Sequence, residues 1–220
     1  NESWTVSGAK TYITSGVRAD RVVAAVRTPE TGEGAAGITL MMLDPASPGY
    51  ATPRALAKMG WWCSDTAELA FNEVPVAPRD VLGLGLGFAS LANHFVSERL
   101  SLAVTAYATA QRCLDLTEAW AKNRETFGRP LISRQIVRHT LVDMYRRTDV
   151  ARVYTHAITD RYINGEQLIA EAALAKQTAV EAAEFVANAA VQLHGGMGYM
   201  RESEVERHYR DVRVLGIGGG

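Results

Sequence analysis

The sequence predicts an α+β protein in which a small antiparallel β-sandwich or barrel, residues 1–82, precedes an up-down helical bundle, residues 83–220. Two observations carry this reading. Residues 1 to 80 hold all but one of the prolines, and short apolar runs there alternate with turn residues. After residue 87 the apolar period becomes helical. Size agrees, because 220 residues with 47% apolar content can bury a sizeable core.

In the first region the candidate strands are Trp4-Val6, Thr11-Thr14, Arg21-Arg27, Gly37-Leu43 and Glu68-Phe71. Ser7-Gly8, the loop from Pro29 to Gly34 and the stretch from Pro45 to Gly49 separate them as turns. Gly83-Leu84-Gly85-Leu86-Gly87 matches neither GxGxxG nor GxxxxGK[ST], and reads as a flexible linker into the first helix. That helix repeats Phe88, Leu91, Phe95 and Leu102 on one face and stops near Phe127-Gly128-Arg129-Pro130. A second helix starts after Ser133, a candidate N-cap, and stops at Asn164-Gly165. An alanine-rich third helix runs from about Gln167 to His194 and ends on Gly195-Gly196, and a short fourth covers roughly Glu202 to Arg213. Long helices joined by short loops pack as an antiparallel bundle.

Composition narrows the function. With 23 basic against 24 acidic side chains the net charge is −1, which gives no electrostatic case for nucleic acid or an anionic membrane surface. No apolar run is long enough to span a membrane. Cys63 and Cys113 form no CxxC pair and read as reduced core thiols of a cytoplasmic protein. The five histidines show no metal-binding spacing, and a GxSxG elbow is absent. The chain opens without Met and stops on a bare glycine triplet, Gly218 to Gly220, so it is expected to be part of a longer polypeptide.

Four segments carry candidate chemistry. Tyr12-Ile13-Thr14 closes a strand, where an aromatic and a hydroxyl two residues apart share a face able to pack a flat ring. It is equally an ordinary strand and turn. Arg124 and Phe127 close the first helix. An Arg there suits the helix dipole, and its planar fork also suits a pyrophosphate. Gln192-Leu193-His194-Gly195-Gly196 is a helix stop whose glycines would also admit a ligand close to the backbone. Glu98 stands three residues after Phe95 and four before Leu102, inside the apolar stripe. A desolvated carboxylate has a raised pKa and suits proton transfer; a buried carboxylate paired with an Arg is the competing reading.

Taken in order, Tyr12-Ile13-Thr14-Ser15, Gly60 to Thr66, Glu98-Arg99-Leu100, Arg124-x-x-Phe127-Gly128, Gln135, Gln192-x-x-Gly195-Gly196-x-Gly198 and Arg210-Asp211-x-Arg213 resemble the flavin-dependent acyl-CoA dehydrogenases. The resemblance covers the family's middle β-domain and most of its C-terminal helical domain; the N-terminal helical domain has no counterpart here. It implies FAD-dependent α,β-desaturation of an acyl-CoA thioester in fatty acid metabolism. A glutamate takes the α-proton and the β-hydrogen leaves as hydride to flavin N5. Electrons then pass to an electron-transferring flavoprotein. Carried over by position, Tyr12, Ile13 and Thr14 would flank the isoalloxazine, while Arg124, Phe127, Gln135, Gln192, Gly195 and Gly196 would hold the ADP portion. In the family those last contacts come from a neighbouring subunit, implying a homodimer or homotetramer. Most members carry the base on a late loop, where this chain has Gly219. A subset that includes the isovaleryl and long-chain enzymes uses a glutamate followed by Arg on the first long helix, as Glu98-Arg99 does. Arg99 and Gly219 are then expected beside the substrate. A flavin oxidase or monooxygenase on the same scaffold, or an inactive oligomerising fragment, are the alternatives.

Overall fold

The structure is a computed structural model, and it describes residues 4–219; the opening Asn1–Ser3 and the last glycine of the terminal triplet lie outside the described residues. The chain divides into two compact units, one reaching to His94 and one from Phe95 onward.

The first unit is built from two three-stranded antiparallel sheets. One sheet has the order β1-β5-β4, with β1 Trp4–Thr14, β4 Tyr50–Ala55 and β5 Thr66–Val76; the other has the order β2-β3-β6, with β2 Val22–Arg27, β3 Ile38–Leu43 and β6 Val81–Leu82. Inward residues of both sheets, among them Val6, Met41, Leu43, Leu69 and Val74, meet in one core. This is the sandwich arrangement of alternating strands. β1 continues through Ser7-Gly8 as a single strand, where a turn was expected. Its ladder absorbs the glycine as a register shift between Val6 and Gly8, and shifts again between Lys10 and Ile13. β4 was not expected. It is an exposed edge strand, and its Pro53 falls in the stretch between Ala51 and Arg54 where the pairing is interrupted.

The glycine-rich segment before the first helix is packed, not a loose tether. A Cβ on Gly87 would lie 2.8 Å from the Ile38 carbonyl oxygen and 2.9 Å from the Leu40 nitrogen, so only glycine lets the chain pass this close to β3. The Gly85 N–H donates to Thr39 Oγ1 at 3.0 Å. The first turns of the following helix therefore belong to the sheet unit. The compositional change at 82/83 marks where strand gives way to helix, and the packing divides farther on.

The second unit takes most of α1 (Gly87–Asn123), then α2 (Gln135–Ile163), α3 (Ile169–His194) and α4 (Glu204–Val212). A two-stranded hairpin, β7 Glu125–Thr126 with β8 Arg129–Pro130, joins α1 to α2. Contacts give the directions. Trp120 stacks on His194, so the C-terminal ends of α1 and α3 coincide. Arg147 lies over the Phe185 ring while Arg161 pairs with Glu171, so α2 runs antiparallel to α3. The core is rich in alanine: Ala103, Ala106 and Ala110 of α1 and Ala172, Ala175, Ala179, Ala183 and Ala187 of α3 are buried in one cluster, which Cys113 joins, whereas Cys63 is exposed and not the core thiol expected. α2 begins at Gln135 behind Arg134, whose side chain turns back to the Thr126 carbonyl; Ser133 does not cap it.

Candidate functional site

Each unit presents its expected residues separately. In the sheet unit, Asp65 organises the turn that follows Thr14. Its carbonyl accepts the Ser15 N–H at 3.0 Å, Oδ2 accepts the Val17 N–H at 2.8 Å, and Oδ1 faces Arg18 Nε at 3.0 Å. Gly16 fits because any Cβ there would sit 3.0 Å from the Ala67 Cβ. Held this way, Tyr12 adopts a left-handed backbone with φ 62° and is 78% exposed. That conformation is uncommon for an aromatic and costs backbone energy. The left-handed residue breaks the simple alternation that placed Tyr12 and Thr14 on one strand face. Both are exposed, Ile13 is half-buried, and Thr14 pairs across the ladder with Thr66.

At one end of the bundle, sequence-distant residues converge. The Trp120 and His194 rings stack with centroids 5.0 Å apart and 19° between planes, and the Arg124 guanidinium lies 6.0 Å from the Trp120 ring. His194 Nδ1 donates to the Ala190 carbonyl at 2.7 Å. Burial pulls this imidazole below its ordinary pKa, opposed by that hydrogen bond. Gly195 follows with φ 61°, and neither Gly195 nor Gly196 has an atom within 4 Å of where a Cβ would be. Arg124, Gln192, Gly195 and Gly196 are all exposed there. On the adjoining hairpin Phe127 has φ 51° and is 96% exposed; Arg134 braces it, donating to the Thr126 carbonyl at 2.7 Å with its guanidinium 5.5 Å from the ring. Gln135, the first residue of α2, is exposed. Trp120, His194 and Arg134 were not anticipated. Trp120 stands four residues before Arg124, one turn away on the same helix face, and that spacing was the available signal.

The third cluster holds Glu98. The stripe facing the core is Val96, Leu100, Ala103, Ala106 and Ala110, while Phe95 and Glu98 are exposed and Leu102 is half-buried. The expected desolvated carboxylate is therefore corrected. Glu98 lies on the open side of α1, because the buried stripe is carried by the residues on either side of it, Val96 and Leu100. Next to it, Arg99 Nε donates to the Gly219 carbonyl at 3.0 Å, with the guanidinium 5.7 Å from the Phe95 ring. Gly219 has φ 76°, and a Cβ there would come 2.5 Å from Leu102 Cδ1 and 3.9 Å from Lys176 Cε. Leu102 is one turn along α1 from Glu98, so Gly219 sits against the face that carries the carboxylate.

Among the described residues, no His, Cys, Asp or Glu cluster could hold a metal ion. Nor is any described helix long and apolar enough to cross a membrane.

Residues 85–220 match the family described as acyl-CoA dehydrogenase, C-terminal domain. The mitochondrial short-chain specific acyl-CoA dehydrogenase of Bos taurus is 35% identical over 217 residues, which is 98% of this chain and 52% of that protein. The chain thus spans about half the length of the curated relatives it matches. A crystal structure of a probable acyl-CoA dehydrogenase from Mycobacterium abscessus superposes with a TM-score of 0.97 at 56% identity, covering 100% of this chain and 58% of the other. Butyryl-CoA dehydrogenase from Megasphaera elsdenii gives a TM-score of 0.94 at 32% identity, covering 99% and 57%.

Proposed function

The chain belongs to the acyl-CoA dehydrogenase family, and from that premise we propose that it takes part in FAD-dependent α,β-dehydrogenation of an acyl-CoA thioester, with Glu98 as the base that removes the α-proton. The residues present fit the cofactor. The exposed Arg124 fork, beside the Trp120 ring, suits a pyrophosphate, and the open backbone at Gly195-Gly196 admits a ligand at close range. Gln192 and Gln135 add amide donors, and Phe127 offers an uncovered ring for an aromatic heterocycle. In the sheet unit Tyr12 and Ile13 would pack against the isoalloxazine and Thr14 would hydrogen-bond to its edge. Bound there, FAD supplies the two-electron acceptor.

The reaction asks two things of this chain. A carboxylate must accept the α-proton, and a donor must stabilise the negative charge that then develops on the thioester oxygen. Glu98 is the candidate carboxylate. The Gly219 carbonyl is engaged by Arg99, while no acceptor meets the Gly219 N–H among the described residues. That N–H is the candidate donor. The observation that carries the reading is this pairing: Arg99 brings a glycine peptide against the face of α1 from which Glu98 projects. The proposed partners are an acyl-CoA and an electron-transferring flavoprotein. A homodimer or homotetramer is proposed because Phe127 is braced yet almost wholly uncovered.

The test is flavin reduction in the full-length, FAD-loaded protein. Acyl-CoA thioesters should bleach the wild-type flavin anaerobically, and Glu98→Gln should abolish bleaching while retaining FAD. Bleaching of Glu98→Gln at the wild-type rate removes Glu98 from the chemistry.

A further inference from the structure

We propose that Arg99 is a positioning residue that acts through the Gly219 peptide and not by touching the acyl-CoA. The inference rests on the proposed reading of Glu98 and Gly219 above. Arg99 is half-buried, its Nε donates to the Gly219 oxygen at 3.0 Å, and its guanidinium lies 5.7 Å from the Phe95 ring one turn back on α1. Two contacts on different elements fix a side chain that would otherwise move freely. The Gly219 oxygen lies on the peptide that follows this residue and the Gly219 N–H on the one before, so the two are joined through the Gly219 Cα, and holding the oxygen toward α1 fixes one side of that joint. The left-handed φ of 76° at Gly219 and the Leu102 methyl 2.5 Å from its Cβ direction restrict the same glycine from its other side. Ile217 and Gly218 anchor the approach, both donating to the Val214 carbonyl at 3.0 and 2.8 Å. The Gly219 N–H thus lies between Gly218, anchored to Val214, and a carbonyl that Arg99 holds from α1.

The consequence is a separation of roles between neighbours. Glu98 moves the proton, and Arg99 keeps the donor where the thioester oxygen becomes negative. A donor displaced by about 1 Å can lose on the order of 10²-fold in rate.

The experiment uses the full-length, FAD-loaded protein with the acyl-CoA that bleaches its flavin. Arg99→Met keeps an unbranched apolar stem against Phe95 and removes the donor. The expected result is kcat lowered about 10- to 100-fold with KM within about twofold and flavin content unchanged. The carbonyl stretch of a bound, unreactive acyl-CoA thioether analogue that keeps its thioester should return toward the free thioester frequency, a signature that mere loss of packing would not produce. Arg99→Lys, which keeps the charge but not the Nε donor, should show the same spectral change, and it reads the same point if Arg99→Met fails to fold. A wild-type carbonyl stretch in either folded variant overturns the positioning role. A wild-type enzyme that bleaches but leaves the carbonyl unshifted overturns both Arg99 and the Gly219 donor, while a wild-type enzyme that no acyl-CoA bleaches overturns the proposed function itself.

Discussion

Removing one charge from Glu204 should change how the bundle responds to acid. α4 has nine residues, too few to persist on its own side-chain interactions. It is tied to α1 by Arg112, whose Nε and Nη2 donate to Glu204 Oε1 and Oε2 at 2.9 and 2.8 Å, with His208 Nε2 at 3.1 Å from Oε1. The Arg112 hydrogen bonds, more than any other contact, hold the Glu204 carboxyl down to about 2 from its ordinary 4.5. A tenfold change in acidity is worth about 1.4 kcal/mol, so the depression corresponds to roughly 3 kcal/mol. The side chain is 34% exposed, and Arg112 more so. Solvent screening therefore reduces the contribution to about 1 kcal/mol. The unfolded carboxyl ionises near 4.5 and the folded one near 2. The stabilisation is complete above the first value and fades as pH falls toward the second. Urea unfolding of wild type and Glu204→Gln between pH 7 and pH 2.5 isolates this residue, because every other carboxylate cancels in the difference. The difference should be about 1 kcal/mol at neutral pH and shrink steadily below pH 4.5. A difference that stays constant with pH, or grows on acidification, would refute the ion-pair account.

Three further outcomes are expected. Arg124→Ala should weaken FAD retention by about 1.5–3 kcal/mol through loss of a charge-assisted contact, read as flavin released on dilution. Met144→Ala, at a wholly buried position of α2, should cost about 2–5 kcal/mol in denaturant unfolding without altering flavin affinity. Gly219→Glu should be inactive both alone and with Glu98→Gly, because the left-handed backbone and Leu102 exclude a side chain. Adding Leu102→Ala to the double variant should restore measurable flavin bleaching.

Two helices were legible because each carries its own stop signal: Asn164-Gly165 ends α2 and Gly195 ends α3 within a residue of the expected places, whereas α1 ends at Asn123, short of the expected Phe127–Pro130, which belongs to the hairpin. Tertiary pairing decided what the local pattern could not. β4 has an exposed sequence interrupted by Pro53, and it is a strand only because β5 offers it a partner. The face of α1 was misjudged because Phe95 and Leu102 are the larger apolar residues, whereas the buried stripe runs through Val96, Leu100 and the alanines that follow. Tyr12, Arg124 and Glu98 could be singled out by residue type and position. The stack of Trp120 on His194 and the bond from Arg99 to Gly219 join residues too distant in sequence for any periodicity to relate them.

The alanine-lined buried face of α3 turns the usual mutational asymmetry around. In an ordinary core most substitutions delete volume and leave a hole; here Ala175, Ala179, Ala183 and Ala187 have almost nothing left to delete. Nearly every replacement that single-base change can offer at these sites adds bulk. It would push two helix backbones apart at about 1–3 kcal/mol each, and could do so far from the site of change, since a helix moves as a rod. The residues at the end of that rod are His194 and Gly195. Sequence drift along α3 should therefore register first as loosened flavin binding and only later as lost folding, and neutral variation should avoid this helix while accumulating freely on the solvent face of α2.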